Sequence, residues 1–102
     1  MSLDPYPTEE EFKTIEDWPF NKPYKELMDY IYEIWMYAKD GGCWEDYKEG
    51  DHWTYEISTG GWSGNEDLLN AMSKNLIFWS TCWYSSKRGG HYEFRVPIKD
   101  VK

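Results

Sequence analysis

The stretch Ile57-Ser58-Thr59-Gly60-Gly61-Trp62-Ser63-Gly64-Asn65-Glu66 restricts the fold more than any other part of the chain. An alternating, aromatic-rich run enters it and a helical pattern leaves it. Glycines at 60, 61 and 64 permit backbone angles that other residues resist. Ser63, followed three residues later by Glu66, has the spacing of a capping box, in which each side chain satisfies an orphan backbone donor at a helix start. Gly60, Gly61, Trp62, Ser63 and Glu66 therefore read as a strand-to-helix corner. A chain built around such a corner mixes strands with helices.

Upstream, residues 1–7 carry two prolines and read as an extended tail. Thr8-x-x-Glu11 is a second capping box, and Glu9, Glu10 and Glu11 suit the positive end of a helix. Phe12 and Ile15 give that helix a narrow apolar stripe, and Trp18-Pro19 closes it. Asn21 is a plausible cap for a main helix over roughly residues 22–38. Tyr24, Leu27, Met28, Ile31, Ile34, Trp35 and Ala38 recur there at spacings of three and four. Gly41-Gly42 ends it. Tyr30, Met36 and Tyr37 fall off this stripe and suggest packing against the first helix or a second subunit.

Residues 43–51 are acidic and read as a loop or a short edge strand. Residues 52–58 alternate, with Trp53, Tyr55 and Ile57 on one side and His52, Thr54, Glu56 and Ser58 on the other, which predicts a half-buried strand. After the corner, residues 65–75 predict a helix. Leu76 to Tyr84 is rich in aromatic and β-branched residues and predicts a strand. Ser85 to Gly90 carries turn chemistry, and His91 to Val96 returns as a strand that Pro97 stops.

The parity of this last hairpin decides which side chains share a face. With a loop of two or four residues, Trp79, Thr81 and Trp83 lie with Tyr92, Phe94 and Val96. Ser80, Cys82 and Tyr84 then lie with His91, Glu93 and Arg95. An odd loop would bury His91 beside tryptophans and leave its polar groups needing partners, so the even loop is preferred. The expected fold is α+β: one domain over residues 1–102, with a small antiparallel three-stranded sheet, helices packed on one face, and the order α-α-β-α-β-β.

Charge narrows the class of partner. Residues 1–51 hold 14 acids and 5 bases, a net −9, and residues 52–102 hold 5 acids and 6 bases, a net +1. The acidic half repels phosphate backbones and disfavours non-specific nucleic-acid binding. It suits a basic partner surface or simply a solvated one. Aromatics make up 20% of the chain, more than one core needs. That surplus and the off-stripe residues Tyr30, Met36 and Tyr37 point towards a homodimer. Two cysteines are too few for a disulfide framework, and no Cys/His spacing fits structural zinc. With no long apolar run and no leader pattern, the expectation is a cytoplasmic chain with reduced thiols, no membrane contact, no metal and no cofactor.

Three constellations carry candidate chemistry. The glycine corner could cradle an anion at a helix N-terminus, but it lacks the P-loop lysine, and Glu66 and Asp67 oppose an anion. The polar sheet face gathers His52, Glu56, Cys82, Tyr84, His91, Glu93 and Arg95. On it Cys82 and His91 would form a thiolate–imidazole pair oriented by Glu93, although mid-strand cysteines are usually inert. His52, His91 and Glu56 would reach one metal only if their strands are adjacent and in register. Lys87-Arg88-Gly89-Gly90 reads as a basic, solvated hairpin tip.

Gly60-Gly61-Trp62-Ser63-Gly64-Asn65-Glu66, then Phe78-Trp79 and Arg88-Gly89-Gly90-His91-Tyr92, resemble small uncharacterised proteins of bacteriophage and prophage genomes, over roughly residues 53–95. The resemblance implies a phage origin and the cytoplasm of a bacterial host, and it carries no mechanism. Together these readings favour a non-enzymatic module that binds a host or phage protein. A small ligand-binder or enzyme using His91, Glu93, Arg95 and Cys82 is the alternative.

Overall fold

A computed structural model of the chain describes residues 6–36, 38 and 42–97. In chain order the elements are α1 (Glu9–Glu16), α2 (Tyr24–Ile34), β1 (Trp44–Glu49), β2 (His52–Ser58), α3 (Ser63–Lys74), α4 (Leu76–Cys82), β3 (Trp83–Lys87) and β4 (His91–Pro97). The strands form one antiparallel sheet in the order β1-β2-β4-β3. The fold is α+β, as the corner requires, but the expected three-stranded sheet is incorrect: the sheet has four strands and the described residues form four helices.

Both differences have local causes. The acidic run 43–51 forms edge strand β1 because the two-residue turn Gly50-Asp51 folds it onto β2, with Gly50 at φ +62°. Leu76 to Cys82, expected as strand, is helix α4. Asn75 starts it: the Asn75 side-chain oxygen accepts from Phe78 N at 3.2 Å, while Nδ2 donates to Ile15 O at 3.0 Å and Trp18 O at 3.1 Å. One asparagine thus caps α4 and ties it to the end of α1. Phe78 and Cys82, one helical turn apart, take the buried side of α4.

The helices lie against the sheet face formed by Trp44, Tyr55, Ile57, Phe94 and Val96. Phe78 stacks on Phe94 at 5.8 Å between centroids, and Tyr24 meets Phe78 edge-on. Trp44 sits between Trp35, Tyr32 and Tyr55 in edge-to-face pairs. Ile15, Leu27, Met28, Ile31, Leu68 and Met72 complete the interior with no exposed surface. Large rings fill a core that aliphatic residues of a chain this short would fill less completely.

The predicted helix ends shift in informative ways. Thr8 and Glu11 form the expected capping box of α1. Asn21 does not cap α2: Pro23 holds that position and makes no side-chain bond. The helix also stops at Ile34 rather than running to residue 38, because Trp35 turns extended and its Nε1 donates to Ser58 O at 2.9 Å. Tyr30 packs on Trp18, and Tyr37 and Gly41 lie outside the described residues. At the tail, Pro7 is buried, and Tyr6 meets Trp62 edge-on and hydrogen-bonds Asp67.

The corner forms with one correction. Gly60 and Gly61 both have positive φ, +64° and +78°. Ser63, however, is the first residue of α3 rather than its cap, so the Ser63–Glu66 box does not form; Trp62 precedes the helix without a side-chain bond. The corner closes instead through Thr59, whose backbone N donates to Gly90 O at 3.0 Å and whose Oγ1 accepts from Gly61 N at 3.3 Å.

Candidate acidic sheet face

The face of the sheet turned away from the helices is assembled by register. β2 places His52, Thr54, Glu56 and Ser58 there, opposite Pro97, Arg95, Glu93 and His91 of β4. β1 adds Glu45 opposite Glu56, Tyr47 opposite Thr54, and Glu49 opposite His52. β3 adds Ser85 opposite Glu93 and Lys87 opposite His91. Glu45, Glu56 and Glu93 therefore form a row of three carboxylates across three strands. Directly opposed like charges in a sheet destabilise it.

The hairpin supplies Tyr84 in an unexpected way. Its loop, Arg88-Gly89-Gly90, has three residues, not the even number expected. A bulge absorbs the extra count: Trp83 pairs with Phe94 and Ser85 with Glu93, leaving Tyr84 unpaired between them. Trp83 thereby keeps its place beside Trp79, stacked at 6.3 Å, and His91 stays exposed. Tyr84 lies on the polar face with the Arg95 guanidinium 3.6 Å from its ring centroid.

Two side chains bind the acids in place. The Tyr47 hydroxyl donates to Glu56 Oε2 at 2.7 Å, and Arg95 Nε donates to Glu93 Oε2 at 3.0 Å. The hydrogen bond to Glu56 is the main reason the Tyr47 phenol is pushed up to about 12; desolvation and the charges of Glu56, Glu49 and Glu93 act in the same direction. Thr54, at the centre of the face, is fully buried and donates from Oγ1 to Glu49 Oε1 at 3.1 Å. A depression of about 270 Å³ lies between Glu45, Glu56, Glu93, Ser85, Lys87 and His91.

Of the expected site residues, Glu56, Tyr84, His91, Glu93 and Arg95 do share this face, and His52 stands at its far end. Cys82 does not. It is buried in α4 on the opposite side of the sheet, and burial pushes its thiol up to about 12. The thiolate–imidazole pair with His91 is therefore not formed. His52 and His91 sit at opposite ends of the β2–β4 pair, and no group of three His, Cys, Asp or Glu residues among those described is placed to hold a metal ion. Sequence reasoning missed Glu45, Tyr47 and Glu49 as site residues, because it left the acidic run 43–51 open between a loop and a short edge strand and did not fix its pairing with β2. The two-residue Gly50-Asp51 spacing before an alternating strand was the available signal.

Comparison of the chain with family models, curated proteins and solved structures finds no match. No helix among the described residues is long and apolar enough to cross a membrane.

Proposed function

We propose that this chain is a non-enzymatic protein-interaction module that offers its acidic sheet face to a basic surface on a partner protein. The carrying observation is the Glu45–Glu56–Glu93 row, three carboxylates aligned across adjacent strands with one arginine bonded to the last of them. A cationic partner side chain placed over that row relieves the repulsion between neighbours, so binding and local charge strain favour each other. The expected enzymatic alternative loses support where Cys82 lies in the core and away from His91.

The Gly60–Glu66, Phe78-Trp79 and Arg88–Tyr92 resemblance supports a phage or prophage protein that works in the cytoplasm of its bacterial host, with a host or phage protein as partner. Exposed Leu76, Ile77, Trp83 and Tyr84 support a homodimer as a second reading of how the module assembles; light scattering at micromolar concentration tests it, and a monomeric mass overturns it. The primary test is capture of a partner followed by titration with salt. Affinity that falls as salt rises, and falls further when Glu45, Glu56 and Glu93 are changed to Gln, supports the reading. Salt-insensitive binding overturns it.

A further inference from the structure

From the geometry of β1 we infer that its outer edge is a docking site for an extended peptide segment that adds a fifth strand to the sheet, with basic side chains at alternate positions.

Ser58 N donates to Cys43 O at 2.9 Å, which makes residues 43 and 58 a hydrogen-bonded pair just before the ladder of β1 and β2. Antiparallel pairs alternate between bonded and non-bonded. Residues 45, 47 and 49 therefore turn their backbone groups inward to β2. Trp44, Asp46 and Lys48 turn theirs outward. No strand lies beyond them among the described residues, and residues 45–49 are all exposed.

Sheet edges are usually blunted by prolines, bulges or lysines. The opposite edge, β3, is short and bulged at Tyr84. β1 runs through six consecutive pairs without a bulge or proline and with one lysine. It is the edge on which another strand can add, the mode in which main-chain bonds give affinity and alternate side chains give specificity.

The flanking charge says which strand. A strand beside β1 sets alternate residues next to Glu45, Tyr47 and Glu49 on the polar face, with Glu56 one strand further in. Lysine or arginine at positions i and i+4, with a β-branched or aromatic residue at i+2, matches that series. A second copy of β1 added across a two-fold axis perpendicular to the sheet and centred on Tyr47 would set Glu45 against Glu49, which disfavours self-pairing. The inference rests on the interaction reading above and names the partner's chemistry.

The test uses a capped peptide with the core Lys-Thr-Val-Thr-Lys, titrated into the full chain at low ionic strength. Its analogue methylated on both threonine amides keeps the charge but cannot donate to the backbone carbonyls of Asp46 and Lys48. Lys48→Pro removes an outward N–H and a positive charge, so it weakens strand addition while strengthening simple attraction of a cation. Strand addition predicts a loss of about tenfold or more in affinity for the methylated peptide and for Lys48→Pro alike. Equal binding of the two peptides overturns the edge site and leaves the acidic-face reading standing. Binding of neither overturns the edge site, and the salt titration of a captured partner decides the acidic-face reading separately. A dimer that Lys48→Pro converts to monomer assigns the edge to a second copy and overturns the peptide partner. If Lys48→Pro lacks the native circular-dichroism spectrum, the methylated peptide alone decides.

Discussion

Asn65 and Met36 exchange two hydrogen bonds across 29 positions of chain: Met36 N donates to Asn65 Oδ1 at 2.9 Å, and Asn65 Nδ2 donates to Met36 O at 3.1 Å. The same Nδ2 also reaches Thr59 O at 3.2 Å. Asn65 is fully buried, so one carboxamide joins the segment leaving α2 to both sides of the glycine corner. The corner is held by this side chain rather than by the Ser63–Glu66 capping box that the spacing suggested.

Replacing Asn65 with Ala leaves the buried Thr59 O and the half-buried Met36 N and O without these partners. Each costs about 1–3 kcal/mol, so a loss of roughly 3 kcal/mol in unfolding free energy is expected. Asn70, exposed on the same helix, serves as the control, and its change to Ala is expected to stay within about 0.5 kcal/mol. Urea denaturation followed by tryptophan fluorescence compares them. Equal midpoints would remove the role assigned to Asn65.

Gly90 meets two constraints at once. Its φ is +81°, and a Cβ there would stand 2.4 Å from Thr59 Oγ1. Gly61 has a similar φ of +78° but open space around it. Gly90→Ala is therefore expected to cost more than Gly61→Ala, with a strain component of about 1–3 kcal/mol common to both. Adding Thr59→Ala to Gly90→Ala is expected to recover part of the difference. Thermal melts of the three variants check the order.

Alkaline stability follows from Cys82. Burial raises its thiol from 9.0 to about 12. Below pH 9 the thiol is protonated in folded and unfolded chains alike, so its contribution is fully present. Between pH 9 and 12 the unfolded chain alone releases the proton, and stability falls as pH rises. Tyr55, raised above 10.0 chiefly by desolvation, steepens the fall above pH 10. Cys82→Ala is expected to flatten the slope of unfolding free energy against pH from 9 upwards. At pH 8 the folded protein is expected to react with thiol reagents at half-buried Cys43 well before Cys82. Prompt labelling of Cys82 would contradict its place in the core.

Tyr47 reports the charge of the sheet face. Its phenol is raised to about 12 with the Glu56 hydrogen bond as the leading cause. Glu56→Gln is expected to lower it towards 10.0. Difference absorbance titration against Tyr47→Phe isolates this one tyrosine among nine. An unchanged titration on Glu56→Gln would dissociate Tyr47 from the carboxylate row.

The elements with one dominant signal were legible in the sequence. Thr8 and Glu11 marked the start of α1, period-two alternation marked β2 and β4, and Gly60-Gly61 marked the corner. Leu76 to Cys82 was not legible from composition, because aromatic and β-branched side chains suit a buried helix face as well as a strand. Asn75, three residues before Phe78, was the telling residue, since it caps α4 while bonding to Ile15 and Trp18, a contact that no local pattern reveals. The candidate face was half legible. Glu56, Glu93 and Arg95 followed from alternation, while Glu45 and Tyr47 joined them only through pairing of a strand that its own residues disfavour.

The bulge at Tyr84 also bears on how the chain can change in length. The ladder pairs Trp83 with Phe94 and Ser85 with Glu93 whether or not a residue lies between them. A deletion of Tyr84 therefore leaves every other side chain of β3 and β4 on its present face and removes one ring from beside Arg95. A deletion at Thr54 would instead turn one half of β2 over relative to the other, moving either Trp53 or Tyr55 to the polar side. Loss of one residue is expected to be tolerated at position 84 and refused in the central strands, so the hairpin can shorten there without exchanging its inside for its outside.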